Sequence, residues 1–213
     1  MRFPNHSGRS GAHTGELGRL QAGRCLCYEC YDMKQKSGPI LKIAKLGNPI
    51  LRRMADPINP REIKSPDIQR LIDDMFDTMY DEPGIGLAAP QVSRSIQLVV
   101  MGCKGDGGFP ETVLINPSIV YYGPEQVDNW EGCLSVDGLR GKVFRPSLVR
   151  VKGLDRNGKS LDFEATGLYA VCIQHELDHL IGKVFLDRMT DMSTLTQLDE
   201  FARYWKKEPT NVI

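Results

Sequence analysis

The chain has 213 residues, of which 41% are hydrophobic and 25% charged, as in ordinary globular proteins. Its 27 Lys and Arg residues balance its 27 Asp and Glu residues, so no global field attracts nucleic acid or a membrane. No run approaches the roughly 18 apolar residues that a transmembrane helix requires. These properties favour a soluble enzyme or binding domain, without direct nucleic-acid or membrane binding.

Residues 1–38 differ from the rest because they combine Gly, Ser, His and Arg with few apolar side chains. Such a composition predicts a disordered extension, followed by one folded domain over residues 39–213. The extension lacks the apolar core of a secretory signal, so we expect reduced cysteines and a cytoplasmic protein. We favour the interpretation that Met33 is the true start, and an organelle-targeting segment is the alternative.

The same extension contains a partial zinc motif that lacks the second ligand pair of an ordinary structural zinc site. Its potential ligands are three clustered cysteines and two histidines: Cys25, Cys27, Cys30, His6 and His13. Because the set is incomplete, we do not predict a metal site there.

An amphipathic helix is predicted to begin at Ser65-Pro66, where a capping serine precedes a proline at the first helical position. The helix should end at Pro83-Gly84. Its apolar side chains recur at helical spacing and form one stripe, which core packing explains better than partner binding. The stripe consists of Ile68, Leu71, Ile72, Met75, Phe76 and Met79.

The middle of the chain is predicted to form short strands separated by turns. The turn at residues 155–158, with the sequence Asp-Arg-Asn-Gly, is typical of a hairpin. The predicted strand segments are 96–101, 112–115, 148–151 and the region of Leu161 and Phe163.

Two further helices are predicted after the strands. The first starts at Thr166 or Gly167, runs through Leu180 and stops before Gly182, and the second covers residues 195–205. Strands gathered between helices, without βαβ alternation, predict an α+β fold. We expect short antiparallel strands packed around a central helix, with a C-terminal helix after them.

The central helix contains the sequence HELDH at residues 175–179. His175 and His179 are at positions i and i+4, so their imidazoles share one face and can bind one cation. Glu176 lies beside this face and is the predicted general base for a metal-bound water. A polar helix face with incidental histidines is the alternative, but the chain has only four histidines and only these two lie beyond residue 13.

The third metal ligand is less evident from the sequence. The histidine that the metzincin pattern requires is replaced by Phe185, and a gluzincin-type endopeptidase would have to use Glu200. Among the cysteines, Cys103 lies in a glycine-rich segment that resembles a mobile loop, and Cys172 is on the same helix as the two histidines. Elimination therefore favours Cys133, and Glu200 remains the alternative.

Three segments together resemble the signature motifs of the peptide deformylase family. They are GIGLAAPQ at residues 84–91, EGCLS at 131–135 and QHELDH at 174–179. The motifs occur in the family's order, and the similarity extends from about Ile40 to Met189. The resemblance implies an enzyme that removes the N-formyl group from the initiator methionine of nascent polypeptides, close to the ribosome exit, and releases formate.

The resemblance also assigns roles to individual residues. It implies that Cys133, His175 and His179 bind the metal, which is usually Fe(II), with zinc, nickel or cobalt able to replace it. Glu176 is the implied general base and acid. The side-chain amide of Gln91 and the backbone N–H of Leu134 are the implied donors to the oxyanion.

The substrate is expected to pair with backbone amide groups at Gly86 as an added strand. Residues that the resemblance places around the substrate and its methionine pocket are Ile85, Gly86, Glu131, Gly132, Arg140, Leu168 and Cys172. The chain departs from the family at Trp130, which we expect to reshape the pocket edge, and it matches only loosely over residues 191–213. A catalytically inactive relative that binds ribosomes or nascent chains is a further alternative.

Overall fold

The computed structural model describes residues 38–105 and 107–206. The predictions made for residues 1–37, including the Met33 start, the targeting segment and the partial zinc motif, lie outside the described residues. Across the described part, an α+β fold is observed, as predicted. Within that part, no helix is long and apolar enough to cross a membrane.

The helices and strands follow one another along the chain with α2 near the centre of the fold. The helices are α1 (Pro66–Asp81), α2 (Gly167–Leu180) and α3 (Leu198–Tyr204). The strands are β1 (Gly86–Ala88), β2 (Leu98–Cys103), β3 (Phe109–Tyr122), β4 (Gln126–Cys133), β5 (Val136–Pro146), β6 (Leu148–Leu154), β7 (Ser160–Thr166) and β8 (Thr196–Gln197).

Helix α1 forms as its sequence predicts. The Ser65 hydroxyl accepts a hydrogen bond from the backbone N–H of Ile68 at 3.4 Å, and Pro66 occupies the first turn. All members of the predicted stripe except the half-buried Phe76 are buried. The stripe packs against the sheet, so the core interpretation is confirmed.

The strands form two antiparallel sheets. The larger has the order β1-β2-β3-β6-β7, and the smaller has the order β4-β5-β8. Strand β2 is buried on both faces, since Leu98 and Val100 pack toward α1 and Val99 and Met101 toward α2. A strand covered on both faces has a continuous apolar sequence, which explains why it was recognisable.

Several strands are longer than predicted. The expected strand at residues 112–115 is part of β3, which has 14 residues and contains both flanking prolines. Pro117 is accommodated because the pairing of β3 with β6 shifts register between Ile115 and Ser118, and Asn116 adopts a left-handed φ of 51°.

Cys103 is the last residue of β2 and is buried, so the expectation that it lies in a mobile loop was wrong.

Helix α2 has the predicted bounds, and Gly182 follows it with a φ of 72°, as a C-terminal glycine should. Helix α3 is shorter than predicted, because Thr196 and Gln197 extend the smaller sheet instead of entering the helix. They pair with Arg140 and Leu139 of β5, and the helix starts directly after them.

Candidate metal centre and active site

Three potential metal ligands converge from two elements. Cys133 is the last residue of β4, and His175 and His179 lie one turn apart on α2. Their ligand atoms all lie within 4.8 Å of one another, and Sγ of Cys133 is 3.3 Å from Nε2 of His179. Because zinc-like ions bind sulfur and nitrogen at roughly 2.0–2.3 Å, atoms at this separation can surround one cation.

The alternative third ligand does not share this location. Within residues 38–105 and 107–206, Cys133, His175 and His179 form the only group of His, Cys, Asp and Glu side chains close enough to hold an ion. Glu200 lies on α3 with its side chain 42% exposed, and it accepts a hydrogen bond from Arg203 at 3.1 Å. The geometry therefore supports the cysteine and gives no support to Glu200.

The environment of Cys133 favours its thiolate form. Burial alone would raise the pKa of the thiol, but the neighbouring His179 and His175 outweigh burial and hold the pKa well below its usual value. The Ser135 backbone N–H also lies 3.4 Å from the sulfur. A thiolate is the form of cysteine that binds a metal.

His175 is oriented by a buried carboxylate. Its Nδ1 lies 2.8 Å from Oε2 of Glu131, which leaves Nε2 facing the ligand cluster. Arg145 donates two hydrogen bonds to Glu131, through Nε at 2.5 Å and Nη2 at 3.0 Å. Burial would raise the pKa of Glu131, but the hydrogen bonds from His175 and Arg145 lower it to about 2, so the group is ionised.

The same arginine joins this carboxylate to helix α2. Arg145 donates from Nη1 to Asp178 at 2.9 Å, and Asp178 also accepts hydrogen bonds from Arg188. Asp178 precedes His179, and its side chain is only 6% exposed. We did not predict Arg145, Asp178 or Arg188, because the network joins positions far apart in the sequence.

Glu176 lies in a buried position beside the ligands. It is 2% exposed, and among the described residues its Oε2 has no hydrogen-bond partner. Burial raises the pKa of Glu176 to about 7, although the two histidines act in the opposite direction. A carboxylate with a pKa near neutrality can both accept and return a proton.

Gly86 provides the space in which the Glu176 carboxylate lies. A Cβ atom at residue 86 would be 2.4 Å from Oε1 of Glu176 and 2.8 Å from its Cδ. Atoms cannot approach so closely, so a larger residue at position 86 must displace the carboxylate. The observed position of the Glu176 carboxylate therefore requires glycine at residue 86.

Gln91 is held with its amide group directed at the ligand cluster. Its Oε1 accepts a hydrogen bond from the Ala88 backbone N–H at 2.8 Å, which fixes the orientation of the amide. Its Nε2 then lies 3.5 Å from Sγ of Cys133 and 3.4 Å from the Ser135 hydroxyl. An amide donor at this point can stabilise negative charge on a bound carbonyl oxygen.

Cys133, His175 and Glu176 line a cleft of about 160 Å³. Of the predicted substrate residues, the structure places four in its wall: Ile85, Gly86, Gly132 and Arg140. Leu134 and Gln91 also line it. A larger cavity of about 400 Å³ lies elsewhere and contains none of the three ligand residues, so its size does not make it the better candidate.

Three predicted pocket residues do not line this cleft. Glu131 is fully buried behind His175, where it orients the imidazole instead of bordering the pocket. Cys172 is fully buried and contacts the backbone oxygen of Ile85 at 3.7 Å. Leu168 lies in the first turn of α2 and packs against the core between α2 and the larger sheet.

Trp130 also differs from its prediction. It is 1% exposed and does not reach the cleft, because its ring packs against Phe201 at 4.9 Å and Trp205 at 5.4 Å between ring centroids. Lys142 lies 5.5 Å from the ring centroid. Trp130 thus attaches the C-terminal helix to β4.

Fold and geometry together define a candidate metal centre with one thiolate and two imidazole ligands, and a buried carboxylate beside it. The family model for polypeptide deformylase matches residues 40–194. The chain therefore belongs to the polypeptide deformylase family, and its identification as an enzyme of this family is confirmed.

Individual relatives agree with this assignment. A peptide deformylase of Azotobacter vinelandii is 48% identical over 153 residues, which cover 72% of this chain and 89% of the relative. Peptide deformylase 1 of Bordetella pertussis is 43% identical over 157 residues, covering 71% and 88%. Both relatives are bacterial.

Solved structures show the same fold. The Met-Ala-Ser-bound class I type b peptide deformylase of Acinetobacter baumannii has a TM-score of 0.69 and 34% sequence identity, covering 71% of this chain and 99% of that chain. The actinonin complex of the Synechococcus elongatus peptide deformylase has a TM-score of 0.67 and 39% identity, covering 77% and 85%.

Proposed function

We propose that this protein removes the N-formyl group from the initiator methionine of newly made polypeptides and releases formate. The observation that carries the proposal is the convergence of Cys133, His175 and His179 at a cleft that Glu176 and Gln91 also line. The family assignment independently supports the same reaction.

The metal that we propose is Fe(II), held by Cys133, His175 and His179, with zinc, nickel or cobalt as possible replacements. Sulfur and nitrogen donors suit these borderline divalent ions, and the low pKa of Cys133 favours the ligating form. When bound, such an ion supplies a Lewis acid that polarises a carbonyl group and makes water a better nucleophile near neutral pH.

The side chains of the cleft perform the proton transfers and stabilise charge. Glu176 takes a proton from the water that attacks the formyl carbon and returns it to the departing amine nitrogen. Nε2 of Gln91 and the backbone N–H of Leu134 donate to the oxyanion that forms on the formyl oxygen. Removing one such donor typically costs about 10²- to 10³-fold in rate.

The peptide is bound by the edges of two sheets. Strand β1 is the edge of the larger sheet and β4 the edge of the smaller sheet, and residues of both line the cleft. Edge strands have unpaired backbone groups that can pair with an added strand. An extended peptide between Gly86 and Gly132 would satisfy these groups and direct its formyl end to the ligands.

We propose that the substrates are nascent chains near the ribosome exit in a bacterial cytoplasm, with residues 39–213 as the catalytic domain. The bacterial relatives support this location. Organelle targeting by residues 1–38 is the alternative, and imaging of the full chain fused to a fluorescent protein would distinguish the two. Fluorescence confined to an organelle would contradict the cytoplasmic assignment.

The test is anaerobic incubation of the Fe(II)-loaded protein with a formyl-Met tripeptide. Anaerobic conditions matter because both the thiolate and the ferrous ion are open to oxidation. We expect formate release with an intact tripeptide, and mass spectrometry of the products separates this outcome from endopeptidase cleavage. Peptide fragments without formate would support the endopeptidase alternative, and binding without turnover would support the inactive relative.

A further inference from the structure

The C-terminal segment supplies part of the wall of the catalytic cleft. Leu198, the first residue of α3, lines the same cleft as Cys133 and Glu176, and it is 44% exposed. A large apolar side chain that is half exposed in a cleft leaves apolar surface available to a bound molecule. Gly84, Leu134 and Gly138 line the cleft with it.

The position of Leu198 is fixed from both sides. Immediately before it, Thr196 and Gln197 pair with β5 and make the segment the edge of the smaller sheet. After it, Phe201 is 3% exposed and packs edge-on against Trp130 of β4. The strand pairing and the aromatic contact hold Leu198 against the smaller sheet, whose strand β4 ends at Cys133.

This wall lies outside the region that defines the family. The family model ends at residue 194, whereas Leu198, Phe201 and Trp205 follow it. None of the three signature motifs contains Leu198, so they do not explain why this residue lines the cleft. The cleft combines residues of the three signature motifs with a wall residue from the segment that follows the family model.

We propose that Leu198 is a specificity-determining residue, which contacts the side chain of one of the two residues after the formylated methionine and favours an apolar side chain there. The proposal rests on the proposed function. An extended peptide alternates its side chains, so those beyond methionine must point toward the cleft walls or toward solvent. A leucine in the wall favours an apolar substrate side chain, because their contact removes apolar surface from water. It offers no hydrogen-bond partner to a polar side chain.

The experiment compares kcat/KM for formyl-Met-Xaa-Yaa tripeptides in which Xaa or Yaa is Leu, Ser, Glu or Lys. The Fe(II)-loaded full chain is compared with Leu198→Ala, Leu198→Lys and the conservative Leu198→Met. Tyr204→Ala is the matched control, because Tyr204 is on the same helix, 64% exposed and absent from the cleft wall.

We expect Leu198→Ala to lower the preference for Leu over Ser at one peptide position by about four- to fifteenfold, the factor for one to two buried methylene groups. Leu198→Lys should move the preference at that position toward Glu, while Leu198→Met and Tyr204→Ala should leave the preference unchanged. A gain of preference for Glu is a result that a merely damaged fold would not give.

The failures of this inference and of the proposed function are distinguishable. If the unmodified chain releases formate but all variants have the same preferences at both positions, Leu198 does not determine specificity. If Leu198→Ala and Tyr204→Ala change activity equally for every peptide, the effect is structural and the inference is also overturned. If the unmodified chain releases no formate from any peptide, the proposed function itself fails.

Discussion

The two imidazoles of the candidate metal centre are one helical turn apart, yet they are supported in different ways. His175 is bonded through Nδ1 to Glu131, which in turn is held by Arg145. Nδ1 of His179 is buried and has no hydrogen-bond partner among the residues that the structure describes. Nδ1 of His175 is thus held by a charged network, whereas Nδ1 of His179 has no such support among the described residues.

The network that supports His175 accounts for the charged residues that are buried in β4 and β5. The network crosses from β4 through β5 to α2, and it joins the strand that ends at Cys133 to the helix that bears both histidines. His179 is fully buried near the end of α2, and its Nε2 contacts Sγ of Cys133. The support of His175 at Nδ1 can therefore be removed by substitution, whereas Nδ1 of His179 has no described partner to remove.

The largest effect is expected when Arg145 is replaced by Met. Glu131 and Asp178 would lose the arginine between them in the interior, where breaking a buried ion pair costs about 3–5 kcal/mol. Each would keep one other partner, His175 for Glu131 and Arg188 for Asp178. Urea unfolding should show this loss in the free energy of unfolding. The matched control is Arg150→Met, since Arg150 also pairs with a carboxylate across strands, but at 49% exposure.

Such an exposed pair contributes about 1 kcal/mol or less, so the Arg150 variant should unfold almost like the unmodified chain. Equal losses for the two arginine variants would show that the buried network has no special role.

The second prediction concerns the general base, Glu176, and leaves the metal ligands unchanged. Gly86→Ala should displace the Glu176 carboxylate and lower kcat by about 10²-fold or more, the usual contribution of a positioned base. Metal content, measured by atomic emission, should remain one ion per chain. Because the substitution acts through Glu176, Gly86→Ala should add little to the loss already caused by Glu176→Gln. Additive losses in the double variant would contradict the steric explanation.

The third and smallest effect concerns the support of His175 itself. Glu131→Gln keeps the shape of the side chain but removes the charge that orients the imidazole, so metal affinity should fall about 10- to 100-fold. Competition with a chelator would measure the affinity. Asp162→Asn, which removes an exposed partner of Arg150, should leave the affinity unchanged. An unaltered affinity in the Glu131 variant would mean that His175, like His179, needs no hydrogen-bond partner at Nδ1.

The elements with strong local signals were predictable from the sequence. Helix α1 was recognisable from its serine cap and apolar stripe, and α2 from its histidine spacing and terminal glycine. Strand β2 was recognisable because both of its faces are buried. Each signal lies within one element and does not depend on distant contacts.

The hairpin of β4 and β5 was not predictable, although it carries Cys133. Three of its buried residues, Asn129, Glu131 and Arg145, are polar. Its sequence therefore lacks the apolar pattern by which a buried strand is recognised. Glu131 was expected at the pocket edge, and only the three-dimensional contacts place it behind His175. Local patterns find ligands that share a helix, but they do not show which carboxylate supports them.

The most direct test of the account is the rate of formate release per bound metal ion, measured anaerobically for the unmodified chain, Cys133→Ser, Glu176→Gln and Glu200→Ala. We predict that Glu200→Ala matches the unmodified chain, that Glu176→Gln keeps the ion but loses turnover, and that Cys133→Ser loses affinity for the ion. The account would be contradicted if Cys133→Ser retained both the ion and full turnover while Glu200→Ala lost them.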